Sequence, residues 1–421
     1  MMRVCVVGLG HVGLPTAAVL AARGHRVLGC DTNPLALAAI EAGRPLVREA
    51  GLDALLATAL ASGRLALRAT PGPAEAFLIA VPTPLGPGRR ADLGAVHAAT
   101  DAIAPCLKPG DLVVLESTCP VGTTEALAER LRAARPDLAL PRSGQPAPPG
   151  CVHLAHCPER VLPGDLLREL VANDRIIGGL TPDCAALAAA LYAGFVAGAC
   201  HLTDARTAEL AKLAENAFRD VNIAFANELA GLCEGFGIEP RAAIALANRH
   251  PRVAILNPGP GVGGHCIPVD PWFLAEAAPA ATPLIQAARG VNEARPGQVV
   301  ARLRGMAAAL RGGAEGRERP AIACLGLAYK PDVADLRGSP ALAVAEALSR
   351  DGTLRLLCCD PMLDRLPPPL AGQDGVAWLE LGAALAQADI VAILVPHAAF
   401  RALPAAAFAD RPVLDAAGML R

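Results

Sequence analysis

The sequence predicts an α/β protein of two doubly wound units joined by a long helix, and three observations carry that prediction. A strand-like run at the N-terminus leads into a glycine fingerprint and then a helix. Strand-like and helix-like runs alternate up to about residue 200 and again after the charged loop Arg311 to Pro320. Between them one helical pattern runs unbroken from the N-cap Thr203-Asp204 to about Phe236. Three segments are therefore expected: a nucleotide-binding unit over 1–200, a helical dimerisation segment over 201–300, and a second Rossmann-like unit over 301–421.

The first strand is Arg3-Val4-Cys5-Val6-Val7, and Gly8-Leu9-Gly10-His11-Val12-Gly13 supplies G-x-G-x-x-G before the alanine-rich helical run Pro15 to Arg23. Each glycine has its own reason. Gly8 permits the tight turn, Gly10 lets backbone N–H groups approach a pyrophosphate, and Gly13 allows close packing of the helix, whose positive end faces the anion. A second strand, Arg26 to Cys30, ends in Asp31, where an acceptor for a ribose 2′-hydroxyl is expected. No basic residue follows it closely to neutralise a 2′-phosphate, so NAD is expected rather than NADP.

Two further strand-like runs, Phe77 to Val81 and Leu112 to Leu115, end in Pro82-Thr83-Pro84 and Glu116-Ser117-Thr118. Open α/β sheets place ligand contacts at such carboxyl ends, although turn formation alone also explains any single hydroxyl. The Pro- and Gly-rich stretch Leu140 to Gly150 is expected as a surface excursion before a strand over Cys151 to Ala155. His156 and Cys157 follow, but strand alternation sends neighbouring side chains to opposite faces. No second ligand pair at zinc-finger spacing follows, so no metal site is expected.

On the long helix Lys212, Asn216 and Arg219 stand at i, i+4 and i+7, which aligns an ammonium, an amide and a guanidinium along one face. The helix is too apolar to stand alone in water, so a junction or dimer interface is expected there. Downstream, Pro258-Gly259-Pro260-Gly261-Val262-Gly263-Gly264-His265-Cys266 holds a thiol in a glycine-rich loop. A nucleotide fold with a placed thiol can trap an aldehyde and oxidise it again. In the last segment the strand-like runs are Ala321 to Gly326, Leu354 to Cys359 before Asp360, and Ile390 to Val395. Tyr329-Lys330-Pro331 and Asp335-Leu336-Arg337-Gly338 bring cations to a strand end, which suits diphosphate or uracil-ribose contacts as well as plain loop solubility.

At 421 residues the chain exceeds a single typical core. A net charge of −2 with 19% charged residues leaves no basic footprint for nucleic acid, and the apolar runs are too short or interrupted to span a bilayer. The 13 cysteines are irregularly scattered, and the chain enters a strand straight after Met1. A reducing, cytoplasmic setting without signal peptide is expected, most thiols serving as small core residues.

Taken together, Gly8-Leu9-Gly10-His11-Val12-Gly13-Leu14-Pro15, Pro82-Thr83-Pro84, Glu116-Ser117-Thr118, Glu215-Asn216, Gly263-Gly264-His265-Cys266 and Tyr329-Lys330-Pro331 resemble the nucleotide-sugar 6-dehydrogenases of the UDP-glucose/GDP-mannose dehydrogenase superfamily, over essentially the whole chain. Cys157-Pro158-Glu159-Arg160-Val161-Leu162-Pro163-Gly164, the run Phe218 to Glu228 and Asn248-Arg249-His250-Pro251-Arg252-Val253 are most similar to the family's branch acting on UDP-N-acetyl-D-mannosamine. UDP-glucose enzymes usually carry serine and lysine where this chain has His265 and Val269. The chain also departs from common family usage at His11, where tyrosine is frequent, and at Gly338, where an acid usually follows the arginine.

The resemblance implies four-electron oxidation of a sugar C6 hydroxymethyl with two NAD, through a thiohemiacetal and a thioester on Cys266. It assigns Lys212 and Asn216 to stabilising the oxygen, and Asp270, with Thr118 and Glu159, to positioning or activating water. It places Arg160, Val161, Lys212, Asn216, Arg219, Gly263, Tyr329, Lys330 and Arg337 on the UDP-sugar, with His250 and Arg252 reaching a neighbouring subunit's site in a homodimer. For NAD it selects Gly8, Gly10, His11, Val12, Gly13, Asp31, Thr83, Thr118 and Thr124. UDP-GlcNAc or UDP-glucose as substrate, and a catalytically silent NAD-binding or sugar-sensing protein, are the alternatives.

Overall fold

A computed structural model describes residues 1–45, 47, 49–161, 164–312 and 319–420. Leu162 and Pro163 of the Cys157 motif, and residues 313–318 of the charged loop, lie outside the described residues. The chain divides into two compact units, residues 1–215 with 272–277, and residues 216–271 with 278–421.

The first unit holds eight strands: β1 (Arg3–Val7), β2 (Arg26–Cys30), β3 (Leu65–Arg68), β4 (Ala76–Ile79), β5 (Leu112–Leu115), β6 (His153–His156), β7 (Arg175–Gly179) and β8 (Cys200–Asp204). Their order is β3-β2-β1-β4-β5-β6-β7-β8. Every pairing is parallel except β6 with β7. The first six strands thus follow the doubly wound Rossmann order, with the reversal between β1 and β4. Alternating residues of β1 serve two cores, Val4 and Val6 on one face and Cys5 and Val7 on the other. This two-sided burial is why parallel strands read as continuous apolar runs.

Three local readings shift. The strand expected over Cys151 to Ala155 forms two residues later, because Cys151 N–H closes a turn on Pro148 and Gly150 adopts φ 64°. The first helix begins at Gly13, since Pro15 is tolerated in a first turn. Thr203-Asp204 ends β8 on the sheet edge, and Asp204 also caps the following helix through Thr207 N–H at 2.9 Å.

The second unit contains a five-stranded parallel sheet of β9 (Ala321–Leu325), β10 (Arg355–Cys359), β11 (Val376–Trp378), β12 (Ile390–Ile393) and β13 (Val413–Asp415), ordered β11-β10-β9-β12-β13. The central helix, Ala205–Phe236, has 32 residues and is about 48 Å long at the usual rise. A second long helix, Pro283–Arg311, has no counterpart in the sequence reading, where Pro296 within it obscures the pattern.

These two helices meet through a buried polar seam. Arg289 donates to Asp220 at 2.7 Å, Asn292 donates to the same Asp220 oxygen at 2.8 Å, and Asn227 donates to Asn292 at 2.9 Å. Burial raises the Asp220 carboxyl while Arg289 and Asn292 pull it back down. Removing the cation would leave an uncompensated buried charge, so Arg289→Met should lower unfolding stability by about 3–5 kcal/mol in denaturant titration; a loss within the ordinary surface range of about 0.5 kcal/mol would contradict the seam's importance.

Candidate active site

In the first unit the fingerprint glycines separate as their chemistry requires. Gly8 has φ 93°, and a Cβ there would lie 2.7 Å from the Ala80 carbonyl oxygen. A Cβ on Gly13 would lie 1.8 Å from the Gly8 carbonyl oxygen, whereas one on Gly10 would meet nothing within 4 Å. Open space at Gly10 and a helix whose N-terminus carries no side-chain cap leave backbone N–H groups available for a diphosphate. His11 is exposed and Val12 half-buried beside them. Asp31 accepts from Leu9 N–H at 2.9 Å and Asn33 N–H at 2.8 Å, which fixes its carboxylate at the end of β2. These features fit a dinucleotide.

Thr83 donates its hydroxyl to the Thr118 carbonyl at 2.7 Å, so two expected contacts meet where β4 and β5 end. Thr124 stands differently. It is 1% exposed, and its N–H and hydroxyl both donate to Glu209, at 2.8 and 2.7 Å. That arrangement serves the helix Thr123–Ala134 and leaves no open face for the cofactor contact expected of Thr124.

Behind the loop after β6, Glu159 pairs with buried Arg175 at 2.5 Å and accepts Arg160 N–H at 2.7 Å. Burial disfavours the Arg175 charge, but the Glu159 carboxylate more than offsets it and holds the guanidinium protonated. Arg160 reaches Glu215 at 2.7 Å and is half-exposed, while Val161 packs against the core. Lys212 is half-buried on the central helix.

Sequence reasoning missed the function of two groups next to this pair. Glu116 is buried and accepts the Tyr192 hydroxyl at 2.6 Å, while its other oxygen has no hydrogen-bond partner among the described residues. Burial pushes Glu116 up to about 7, with Glu159 adding to the rise and Tyr192 and Arg175 opposing it. The strand-end acid was visible in the sequence; Tyr192, supplied by a distant helix, was not.

In the second unit, Asn216 donates to Asp270 at 2.6 Å, both side chains being buried. The cysteine loop packs against the Tyr329 to Arg337 segment. A Cβ on Gly263 would come within 2.8 Å of Tyr329 and Pro340, and one on Gly264, where φ is 87°, within 2.9 Å of the Tyr329 ring. Gly264 N–H donates to the Arg337 carbonyl at 3.0 Å. Glycine at both positions is thus a packing requirement, which closes the loop on the strand-end cations.

All 13 cysteines are free thiols; ten are buried, two half-buried, and Cys266 is exposed. Its carbonyl accepts the N–H groups of Val269 and Asp270, and its thiol lies close enough to raise both Tyr329 and Arg337. Asp335 holds Arg337 through Oδ2 at 2.5 Å. Burial pushes the Asp335 carboxyl up, and the Arg337 hydrogen bonds overcome it and hold the group below its ordinary value. Gly338, at φ 57°, occupies a left-handed turn that an acid would adopt only under strain. A cavity of about 140 Å³ lies beside Tyr329, Lys330, Gly259 and Pro340.

Arg219, His250 and Arg252 are exposed. His250 and Arg252 share one turn, in which Arg252 N–H donates to His250 Nδ1 at 3.3 Å. Asn222 ties that loop to the central helix through Ala254 and Leu256.

The NAD binding domain of the UDP-glucose/GDP-mannose dehydrogenase family matches residues 2–196, its central domain 206–294 and its UDP binding domain 323–421. The chain belongs to this family. An NDP-N-acetyl-D-galactosaminuronic acid dehydrogenase of Ralstonia nicotianae is 50% identical over 416 residues, covering 99% of this chain and 96% of its own. A UDP-N-acetyl-D-mannosamine dehydrogenase of Salmonella typhi is 47% identical over 421 residues, covering 99% of each. The solved UDP-D-ManNAc dehydrogenase of Pyrococcus horikoshii superimposes with a TM-score of 0.87 at 36% identity, over 100% of this chain and 96% of that one. The protein is therefore an oxidoreductase, an NAD-dependent UDP-sugar dehydrogenase, and the expected α/β fold and cofactor stand. Among the described residues no helix is long and apolar enough to cross a membrane.

Glu116 yields a pH signature. Its folded value of about 7 lies above the ordinary 4.5, so its contribution to stability is fully present below about pH 4.5 and is lost as pH rises through about 7. Glu116→Gln should flatten the fall in unfolding free energy across that window, as read by denaturant titrations at several pH values; an unchanged slope would show that Glu116 does not titrate there.

Proposed function

We propose that the protein oxidises UDP-N-acetyl-D-mannosamine at C6 to the uronic acid in two successive steps, with Cys266 as the nucleophile. The observation that carries this reading is the exposure of Cys266 in a glycine loop packed on Tyr329 and Arg337, while the other thiols are buried or half-buried in the framework. Relatives named for UDP-N-acetyl-D-mannosamine at about half identity support the substrate.

NAD, when bound, accepts one hydride in each oxidation. Gly10, the N-terminus of the first helix, and Asp31 would hold it, with Thr83 and Thr118 alongside. Lys212 and Asn216 supply donors to the substrate oxygen and stabilise the charge on it, while the hydroxyl proton of the first oxidation leaves to the water beside Asp270 and Glu159. The Cys266 sulfur adds to the aldehyde carbon and its proton ends on the carbonyl oxygen, giving a thiohemiacetal. Loss of a proton and a hydride leaves a thioester, and water then adds to that carbonyl, releasing the carboxylate and restoring the thiol. Asp270, held by Asn216, and Glu159, held by Arg175, are the acids proposed to orient that water together with Thr118. Arg160, Val161, Arg219, Gly263, Tyr329, Lys330 and Arg337 are proposed to bind the nucleotide sugar, Tyr329 by stacking and the cations by pairing with the diphosphate.

A second reading, oxidation of an N-acetylgalactosamine nucleotide, is favoured by the name of the 50% identical Ralstonia relative. Incubating the protein with NAD and a panel of UDP-sugars while counting NADH per product separates the two. Two NADH per acid and preference for UDP-N-acetyl-D-mannosamine are expected, and Cys266→Ala should abolish acid formation while NAD affinity changes little. Normal turnover in that variant would remove the thiol from the chemistry, and preference for the galacto epimer would select the second reading.

Two copies are proposed to pair through the central helix. Phe218, Phe225, Leu232 and Phe236 recur at spacings of seven, seven and four, forming one face, and all are exposed. His250 and Arg252 would then reach the neighbouring copy's site. Phe225→Glu combined with Leu232→Glu should halve the mass measured by light scattering; an unchanged mass would assign the face elsewhere.

A further inference from the structure

The loop after β5, the end of β6 and the first turns of the central helix bring three side chains together that the dehydrogenase chemistry does not use. Cys119, His156 and Glu209 each offer one ligand atom, and these atoms lie within 4.8 Å of one another. All three residues are buried, at 1%, 0% and 1% exposure. Cys119 Sγ stands 3.9 Å from Glu209 Oε1. Strand alternation sends Cys157 away from His156, toward Tyr192 and Arg175, whereas the companions of His156 come from distant segments.

We propose that Cys119, His156 and Glu209 form a three-ligand site for a soft divalent cation of the zinc class.

His156 is the observation that calls for a ligand. The Leu115 backbone lies near the wholly buried His156 ring, but among the described residues neither ring nitrogen completes a hydrogen bond of good geometry. A neutral imidazole has one donor and one acceptor, and leaving such groups unpaired in the interior is destabilising. Glu209 has a sufficient structural role as the cap of the helix Thr123–Ala134, and Cys119 serves as its weak donor; neither role gives His156 a partner.

The donor set suits the cation. Sulfur, imidazole nitrogen and carboxylate oxygen are the zinc ligands, and three protein ligands leave a fourth position for water. Bond lengths of about 2.0–2.3 Å in a tetrahedron require the ligand atoms to stand about 3.3–3.7 Å apart, so the present cluster would contract by about 1 Å. As the sulfur–metal bond forms, the Cys119 proton leaves to solvent, and thiolate plus carboxylate then balance the two positive charges. Gly122 N–H at 2.6 Å and the two Thr124 donors fix the Glu209 carboxylate, the kind of outer support that metal-bound carboxylates have. Thr118, Pro120, Val121 and Gly122, which flank Cys119 in the loop after β5, are half-exposed.

The site is independent of the dehydrogenase reading, and so is its test. The full-length chain carrying Cys266→Ser, which removes the exposed thiol, is stripped with chelator and titrated anaerobically with Co²⁺. One equivalent should bind with a thiolate-to-cobalt charge-transfer band and the visible bands of four-coordinate cobalt, and Zn²⁺ should displace it with loss of colour. Loss of groups that merely support a ligand costs about 10–100-fold in affinity, so His156→Gln and Cys119→Ala should each weaken binding by about 100-fold or more. Circular dichroism confirms that each variant is folded, and either one alone suffices. Absence of the cobalt spectrum with the metal in large excess, or an unchanged spectrum and affinity in a folded variant, overturns the proposal.

Discussion

Gly259 donates its N–H to Asn227 at 2.9 Å and gives its carbonyl to Arg295 at 3.1 Å, so both polar groups of one loop residue are held by the two long helices. Those helices are themselves joined by Asp220, Arg289 and Asn292 in the interior. Everything downstream in the cysteine loop inherits its position from this anchor. Buried charges and amides tolerate few alternative arrangements, because each lost partner leaves an uncompensated polar group. An apolar seam of similar area would hold the helices together while leaving more freedom for them to slide.

From that anchor the loop runs against Tyr329, where Gly263 and Gly264 leave no room for a side chain. The close approach presents Cys266 to solvent beside Arg337, whose guanidinium is itself held by Asp335. The proposed nucleophilic role depends on such contacts, since reach and direction must be set before a substrate arrives. The first unit applies the same principle to acids. Glu159 is held by Arg175, Glu209 by the Thr124 helix, and Glu116 by Tyr192, each carboxylate fixed by a partner from another segment.

The glycine fingerprint, Asp31 and most strand positions were legible because they rest on local rules: period-two burial, tight turns and helix ends. The strand after Leu140 to Gly150 slipped by two residues because a turn on Pro148 competes with it. The helix Pro283–Arg311 escaped notice for a related reason: Pro296 breaks the local pattern, and packing on the central helix and the second sheet, with Arg289, Asn292 and Arg295 buried among them, overrides that break.

The sequence by itself determined the class of fold, the dinucleotide site and the thiol, since each is written in contiguous residues whose spacing follows backbone geometry. Only the tertiary structure decided that Thr124 serves Glu209, that Glu116 meets Tyr192, and that His156 joins Cys119 and Glu209. Those groupings draw on residues 37 to 90 positions apart, brought together by parallel crossovers whose lengths and packing no local pattern encodes.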